Sequence, residues 1–584
     1  MINKWNIRTH TKEHTAQAKL LAAELGLSLA AGLLLVQRGI TSAAEAKKFF
    51  KPSLDDLHDP FLMADMHKAV KRLNKALGNK EKILVYGDYD VDGTTAVSLV
   101  YKFLRPYSST LDYYIPDRYD EGYGISYKGI DYAAENGVTL VIALDCGIKA
   151  IDKINYANEK GIDFIICDHH MPDNELPQAV AVLDAKRTDS KYPYEHLSGC
   201  GVGFKFMQAF AQSNDIPFAA LENLLELTVV SIASDIVPIT GENRTLAYYG
   251  LKQLNSNPSM GLKGIINVCG LSGKEITVSD IVFKIGPRIN ASGRMMNGKE
   301  AVELLLAKDM KIAREKSESI NQYNEDRREL DKKITDEANA IINEIKNIEN
   351  QKGIVVYDPH WHKGVIGIVA SRLTEKYYRP AIVLTQSSSS ELITGSARSI
   401  AGFDIYKAIE ACRDLLENFG GHTYAAGLSL QRKNLDEFIR RFIQLTDRDI
   451  QPEQMQPQID IDAVITLRDI NAKFMHELKM MSPFGPENEK PLFCSQNVQD
   501  YGTSKLVGKD MEHVKLEIID SSGGPVHGIA FGMHEHNEYI KEMKSFDLCY
   551  TIEENTYNGI TTLQLMVKDI RHATRILKDK NGVT

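Results

Sequence analysis

Between residues 11 and 80, apolar positions recur at the three-and-four spacing of amphipathic helices, as in AKLLAAEL and MHKAVKRLNKAL. From Lys82 the period changes. Short apolar runs, KILVY, TLVIAL, DFIIC and AVAVL, alternate with amphipathic stretches, which predicts a parallel sheet with helical crossovers over residues 81–306. Residues 307–350 are charged and contain neither Gly nor Pro, so they predict one long solvated helix joining two domains. A second, smaller α/β pattern over residues 351–450 has GIVVYD and PAIVLT as strands and QSSSSE as a loop tip. After the proline-containing linker DRDIQPEQMQPQ, the runs HVKLEIID, VHGIAFG, FDLCYTIEE and TLQLMVKDI are separated by turn residues and predict a small β-barrel over residues 455–584. The fold class is therefore multi-domain α/β followed by a C-terminal barrel. The helices of residues 1–80 are expected to form an extension packed on the first α/β domain.

Composition narrows the function classes. With 43% hydrophobic and 25% charged residues, the chain is an ordinary globular protein. A net charge of −9 argues against binding nucleic acid by bulk electrostatics, but not against a nucleic-acid enzyme whose cations supply positive charge locally. The seven cysteines are scattered with no CxxC pair, so they read as reduced core residues of a cytoplasmic protein. The apolar stretch Leu27 to Val36 is too short to span a membrane.

The chemistry gathers where the apolar runs end. KILVYGDYDVDG delivers Asp88, Asp90 and Asp92; TLVIALDCG delivers Asp145; DFIICDHH delivers Asp168, His169 and His170; and VVSIASDIVP brings Asp235 from a helix end. Ligands of open parallel sheets bind at the carboxyl ends of the strands. Carboxylates this close repel one another unless a cation or proton neutralises them. Oxygen donors with an admixed imidazole suit two Mn²⁺ or Mg²⁺ ions, which activate water against a phosphoryl group. Any single Asp after a strand is more often a turn or cap, and it is the coincidence over several strands that points to metals. DYDVDG also opens like an EF-hand loop, but the bidentate Glu would fall on Leu99. DVDGT resembles the nucleophile loop of haloacid-dehalogenase-type phosphatases, a reading that leaves DCG and DHH unused.

DYDVDG, LDCG, CDHH and SIASDIVPI, in this order, resemble motifs I to IV of the DHH phosphoesterase superfamily, and GGHTYAAG resembles the signature of its DHHA1 companion domain. NRTLAYYGL, GPRINASGR, WHKGVIGIVASRL, GSARS and SPFGPENEKPLF resemble the RecJ branch, single-strand-specific exonucleases that degrade DNA from the 5′ end. The resemblance implies a DHH domain and a DHHA1 domain around a cleft, with the barrel an OB-fold.

It also implies roles. Asp90, Asp92, Asp145, His169 and Asp235 would hold two metal ions, with Asp145 as the bridge and Asp88 as a further ligand. His170 would lie against the scissile phosphate, with Asp168 orienting an imidazole. Arg118, Arg288, Ser396 and Arg398 would bind the terminal phosphate and adjacent backbone, together with Gly420, Gly421 and His422, which are expected at a helix start. Phe531 and Tyr557 are candidates for base stacking, although a barrel-core position is expected for each. Single-stranded DNA is the implied substrate, with a single-strand-binding protein and a helicase as implied partners. The alternatives are a phosphodiesterase acting on short oligonucleotides or cyclic dinucleotides, and a non-catalytic single-strand-binding scaffold.

Overall fold

The computed structural model describes residues 3–345, 348–387, 392–557 and 559–572, apart from the side chain of Tyr557. The chain forms two compact units. The larger comprises Leu54–Gln456 and Gly485–Glu487; the smaller combines the chain up to Ser53, Pro457–Phe484 and the segment from Asn488 onward.

In the larger unit, five parallel strands lie in the spatial order Leu111–Tyr114, Lys82–Gly87, Val138–Leu144, Asp163–Cys167 and Ala181–Leu183. Four of them are the predicted apolar runs. The fifth, LDYY, escapes the pattern because only Leu111 is buried in it. From Lys82–Gly87 the chain crosses first to one side of the sheet and next to the other, so the loops after Lys82–Gly87 and Val138–Leu144 flank the switch point where a crevice opens. The helices Val91–Leu104, Gly199–Ser213 and Leu225–Ser234 are buried along nearly their whole length and share one core with the sheet.

The predicted connecting helix runs from Met310 to Glu344, started by Asp309, whose carboxylate accepts from the N–H groups of Lys311 and Ile312. It is not solvated all round: Ala313, Ser317, Ile320, Asn324, Asp331, Ile334, Ala338 and Ile342 form a buried stripe at helical spacing. The second sheet has the order Leu416–His422, Ala425–Gln431, Leu392–Arg398, Ala381–Gln386 and Ile354–Tyr357, and only its last two strands pair in parallel. Most of the Ser-rich tip, residues 388–391, lies outside the described residues.

The smaller unit corrects the expected N-terminal domain. The helices Lys12–Leu25, Leu29–Gln37 and Ala43–Phe50 do not belong with the parallel sheet. Their Leu21, Ala31, Leu34, Leu35 and Ala46 share a core with Phe474, Leu478, Phe493, Leu548 and Leu565 of the C-terminal segment. Lys4–Ile7 adds a parallel strand to Gln458–Ile461, and Ser28 donates from both N–H and hydroxyl to Glu477. An apolar helical stripe shows that a helix is buried but not against which domain, so the pattern alone misassigned these residues. Of residues 1–80, the part that joins the parallel sheet is Leu54 onward, with the helix Met66–Gly78 in its core. The barrel itself is as predicted: Phe493–Asp500 pairs with both Phe546–Tyr557 and His513–Asp520, which closes the ring through Ile560–His572 and Gly523–Ala530. Among the described residues, no single helix is long and apolar enough to cross a membrane.

Candidate metal centre

The turn DYDVDG is tight for a steric reason. A Cβ on Gly93 would stand 2.4 Å from the carbonyl oxygen of Asp88, so only glycine lets the strand end fold back onto the start of the next helix. Asp90 caps that helix, accepting from the Gly93 N–H at 3.0 Å, and thus the cap reading holds for one of its oxygens. Asp88 accepts from the Gly124 N–H at 3.3 Å through Oδ1, while its buried Oδ2 has no hydrogen-bond partner. Asp92 points the other way, to the start of the helix Gly199–Ser213. It accepts from the N–H groups of Gly199 and Cys200 and from the Ser231 hydroxyl, each at 2.7 Å.

Asp145 ends its strand in the left-handed region, φ 58°, a conformation that Asp tolerates better than most residues. Gly199 lies against it: a Cβ there would be 2.5 Å from Asp145 Cβ and 2.7 Å from Oδ1. His169 Nε2 stands 3.2 Å from Asp145 Oδ1, 3.6 Å from Asp235 Oδ2 and 3.8 Å from Asp92 Oδ2. Asp235 directly follows the helix Leu225–Ser234, as expected.

Two sets of donor atoms come within 4.8 Å of one another: Asp145, His169 and His170, and Asp92, His169 and Asp235. Asp145 Oδ1 and both ring nitrogens of His169 are buried without hydrogen-bond partners. Orphaned buried polar atoms are costly unless something completes them, and here they converge. Burial, then neighbouring carboxylates, push Asp88 and Asp145 well above the usual carboxylate range and Asp235 up to about 8. Burial also lowers His169, favouring the neutral imidazole that a metal requires. The donor set fits hard divalent cations.

The two histidines have separate surroundings. His170 Nδ1 is 2.7 Å from Asp168 Oδ1; burial opposes its charge, but this hydrogen bond wins and raises its pKa. Asp168 also accepts from the N–H groups of Ile148, His169 and His170. Although burial alone would raise it, these partners and the His170 charge hold Asp168 down to about 2. The Tyr123 hydroxyl lies 3.2 Å from His170 Nε2 and donates to the Asp145 carbonyl. Tyr123, Ser231 and the Gly199 helix start are parts of the centre that sequence reasoning missed; the run SGCGVG, glycine-rich at a helix start, was the available signal.

Facing the centre's side of the larger unit is a cluster of opposite sign. Arg294 is lowered to about 10 by burial and then by the charges of Arg118, Arg327 and Arg398. Arg118 lies over the ring of Tyr89, 4.9 Å from its centroid, and Arg294 donates to the Gly364 carbonyl at 3.0 Å. Arg398 donates to the Ser396 hydroxyl at 3.0 Å, and a Cβ on Gly367 would be 2.9 Å from that hydroxyl and 3.1 Å from Arg398 Nη2. Ser234, Gly286, Pro287, Asn290, Arg294 and Arg327 line a cavity of about 170 Å³ that reaches from beside Asp235 to this cluster. Arg288 is near enough to Arg327 for its charge to act there, and it donates to Asn321 and to the Lys284 carbonyl. Gly420, Gly421 and His422 are not at a helix start: they end the strand Leu416–His422, with Gly420 opposite Gly427 and Gly421 opposite Ala426. In the barrel, Phe531 is exposed with His513 against it, contrary to the expected core position, and the side chain of Tyr557 lies outside the described residues.

Comparison with known proteins identifies three domains along the chain. Residues 82–232 match the DHH family, N-terminal domain; residues 335–447 the DHHA1 domain; and residues 461–569 the RecJ OB domain. The single-stranded-DNA-specific exonuclease RecJ of Bacillus subtilis is 35% identical over 579 residues, covering 99% of this chain and 72% of that one. The chain belongs to the RecJ family. RecJ of Thermus thermophilus in complex with Mn²⁺ shares the fold, with a TM-score of 0.83 over 98% of this chain and 80% of that one at 24% identity. An exonuclease RecJ bound to manganese matches at a TM-score of 0.58 and 29% identity, over 67% of this chain and 96% of that one.

Proposed function

We infer that this RecJ-family chain is a metal-dependent exonuclease hydrolysing the phosphodiester bonds of single-stranded DNA, and we propose that it works from the 5′ end. The convergence of donor atoms from four chain segments, with those of Asp145 and His169 buried without hydrogen-bond partners, beside a cluster of arginines carries this reading. Asp88, Asp90, Asp92, Asp145, His169 and Asp235 are the proposed holders of two Mn²⁺ or Mg²⁺ ions. When bound, the ions supply an activated water and offset charge on the phosphoryl oxygens.

The chain's own residues do the rest. Asp168 fixes His170 with the proton on Nδ1 and favours its charged form, leaving Nε2 to meet a phosphoryl oxygen where negative charge develops. Gly199 and Cys200 hold Asp92 with backbone N–H groups, which keeps its carboxylate in register with His169. Arg118, Arg398 and Ser396 are the proposed anchor of a terminal phosphate, with Arg294 behind them. Gly420, Gly421 and His422 are proposed to contact the terminal phosphate as well, and Arg288 the adjacent backbone. An anchor for the strand end beside the metal centre would make the reaction exonucleolytic, and the barrel would hold the trailing strand. We place the protein in the cytoplasm, where a helicase would expose the strand and a single-strand-binding protein would coat it.

The test is a time course on single-stranded DNA with Mn²⁺, labelled at the 5′ end in one reaction and the 3′ end in another. Immediate release of labelled mononucleotide from the first and a shrinking ladder from the second, both abolished by EDTA, are expected. Intact long strands alongside cleaved dinucleotides would move the reading to a short-oligonucleotide phosphodiesterase.

A further inference from the structure

Beyond the arginine cluster, the second sheet carries a cavity that the reaction as described touches only at its Gly420 edge. Its volume is about 410 Å³, within the range of small-molecule sites, and Lys363, Thr394, Asn418, Gly420, Gly427 and Ser429 line it. Its position relative to the proposed anchor follows from the strand register. In Leu392–Arg398 burial alternates, so Leu392, Thr394, Ser396 and Arg398 share the less buried face. Gly427 is the cross-strand partner of Ser396, and Gly420 that of Gly427, so the cavity adjoins Ser396 directly.

The metal centre lies in the other direction, towards Arg398: a Cβ on Gly367 would be 3.1 Å from Arg398 Nη2, and the neighbouring Ile368 lines the cavity that passes Arg294 to Ser234, beside Asp235. The first nucleoside, which joins the terminal phosphate to the scissile one, must therefore occupy the arginine side. The cavity extends past the terminal phosphate on the far side.

Its walls suit a nucleotide. Lys363 supplies a cation, and Thr394, Ser429 and Asn418 supply donors and acceptors. The paired glycines leave a bare shelf: a Cβ on Gly420 would meet nothing within 4 Å, and one on Gly427 only a carbonyl oxygen at 3.9 Å. Phe419 and Leu428 add apolar surface.

We propose that this cavity receives a nucleotide joined to the 5′-terminal phosphate through a pyrophosphate bond, so that the enzyme also removes 5′-adenylated ends. This rests on the proposed anchoring of the terminal phosphate at Ser396 and Arg398. The chemistry is unchanged: water adds to the scissile phosphorus, the 3′ oxygen of the first nucleotide leaves with a proton, and the pyrophosphate stays intact. The products are adenosine joined 5′ to 5′ through two phosphates to the first nucleotide, and a strand with a new 5′ monophosphate.

The experiment uses the full chain with Mn²⁺ on 3′-labelled single strands bearing either a 5′ monophosphate or a 5′ adenylate, with products identified by mass. The wild type is expected to process the adenylated strand within about tenfold of the monophosphorylated one and to release the capped dinucleotide. Thr394→Trp and Ser429→Trp, which fill the cavity, should slow the adenylated strand at least tenfold and leave the monophosphorylated one unchanged. An adenylated strand that is inert with the wild type, or two substrates slowed equally by the tryptophans, overturns the proposal. Failure of the wild type on the monophosphorylated strand would be a different result, counting against the exonuclease reading itself.

Discussion

The larger unit holds two charged sites built on opposite principles. At the edge of the parallel sheet, carboxylates from several segments crowd together with almost no cation among them; beside the second sheet, Arg118, Arg327 and Arg398 gather around Arg294. Elsewhere in the same unit buried charges are paired within the fold, as Lys205 is with Glu242 at 2.8 Å and Arg72 with Asp163 at 2.6 Å. A folded chain keeps like charges unpaired only where a ligand completes them, because isolated buried charge costs several kcal/mol. The acidic site thus fits metal cations, and the basic one, where Asp331 stands 3.6 Å from Arg327 alone of the four, is proposed to take an anion. Two such sites of opposite sign are what a phosphodiester running between them requires.

The comparison can be broken most severely at Asp145. Asp145→Asn keeps the shape and removes one negative charge, so single-strand hydrolysis should fall by on the order of 10³-fold or more if Asp145 is the metal ligand proposed above. The same substitution should raise the melting temperature of the EDTA-treated protein by relieving repulsion. A variant less stable than wild type in EDTA would mean that the carboxylates are not in conflict. Next comes Arg398→Met, which should lower kcat/KM on 5′-phosphorylated strands by about 10- to 100-fold, the value of a charge-assisted hydrogen bond. Its effect on 5′-hydroxyl strands should be much smaller, and equal losses on both would sever the link to the terminal phosphate.

The smallest effect expected is on stability against pH. In the metal-free fold Asp235 is lifted to about 8, whereas an unfolded Asp titrates at about 3.9. The folded state therefore holds more protons between these values, and its stability falls as pH rises through that window. Saturating Mn²⁺ should flatten or reverse the slope. A metal-free melting temperature that climbs from pH 5 to pH 8 would contradict the acidic half of the comparison.

Much of this was legible in the sequence, for identifiable reasons. Strand ends carrying Asp88, Asp145 and Asp168 follow uninterrupted apolar runs, and parallel sheets bury both faces, so the runs mark the sheet and the residues after them mark its active edge. What stayed hidden was what depends on distant partners. Nothing in SGCGVG tells that its first amides grip Asp92, more than a hundred residues earlier in the chain. GGHTYAAG, glycine-rich and followed by alanines, imitates a helix start, yet forms an antiparallel hairpin because Leu392–Arg398 offers a free edge to Ala425–Gln431. Arg294 was passed over for Arg288 because both lie in one short motif, and only packing distinguishes the buried arginine from the one held against the connecting helix.

The union of the first helices with the barrel gives the ribosome a scheduling problem. Leu21, Leu34 and Leu35 emerge early, but the residues that cover them begin at Pro457, about 400 residues later. At typical elongation rates that is a wait of about 20–80 s. During it the nascent chain carries an apolar helical hairpin with no partner, while the larger unit behind it gains all of its sequence but Gly485–Glu487. Synthesis from the N-terminus thus completes the enzyme's hydrolytic centre before the module in which the chain begins.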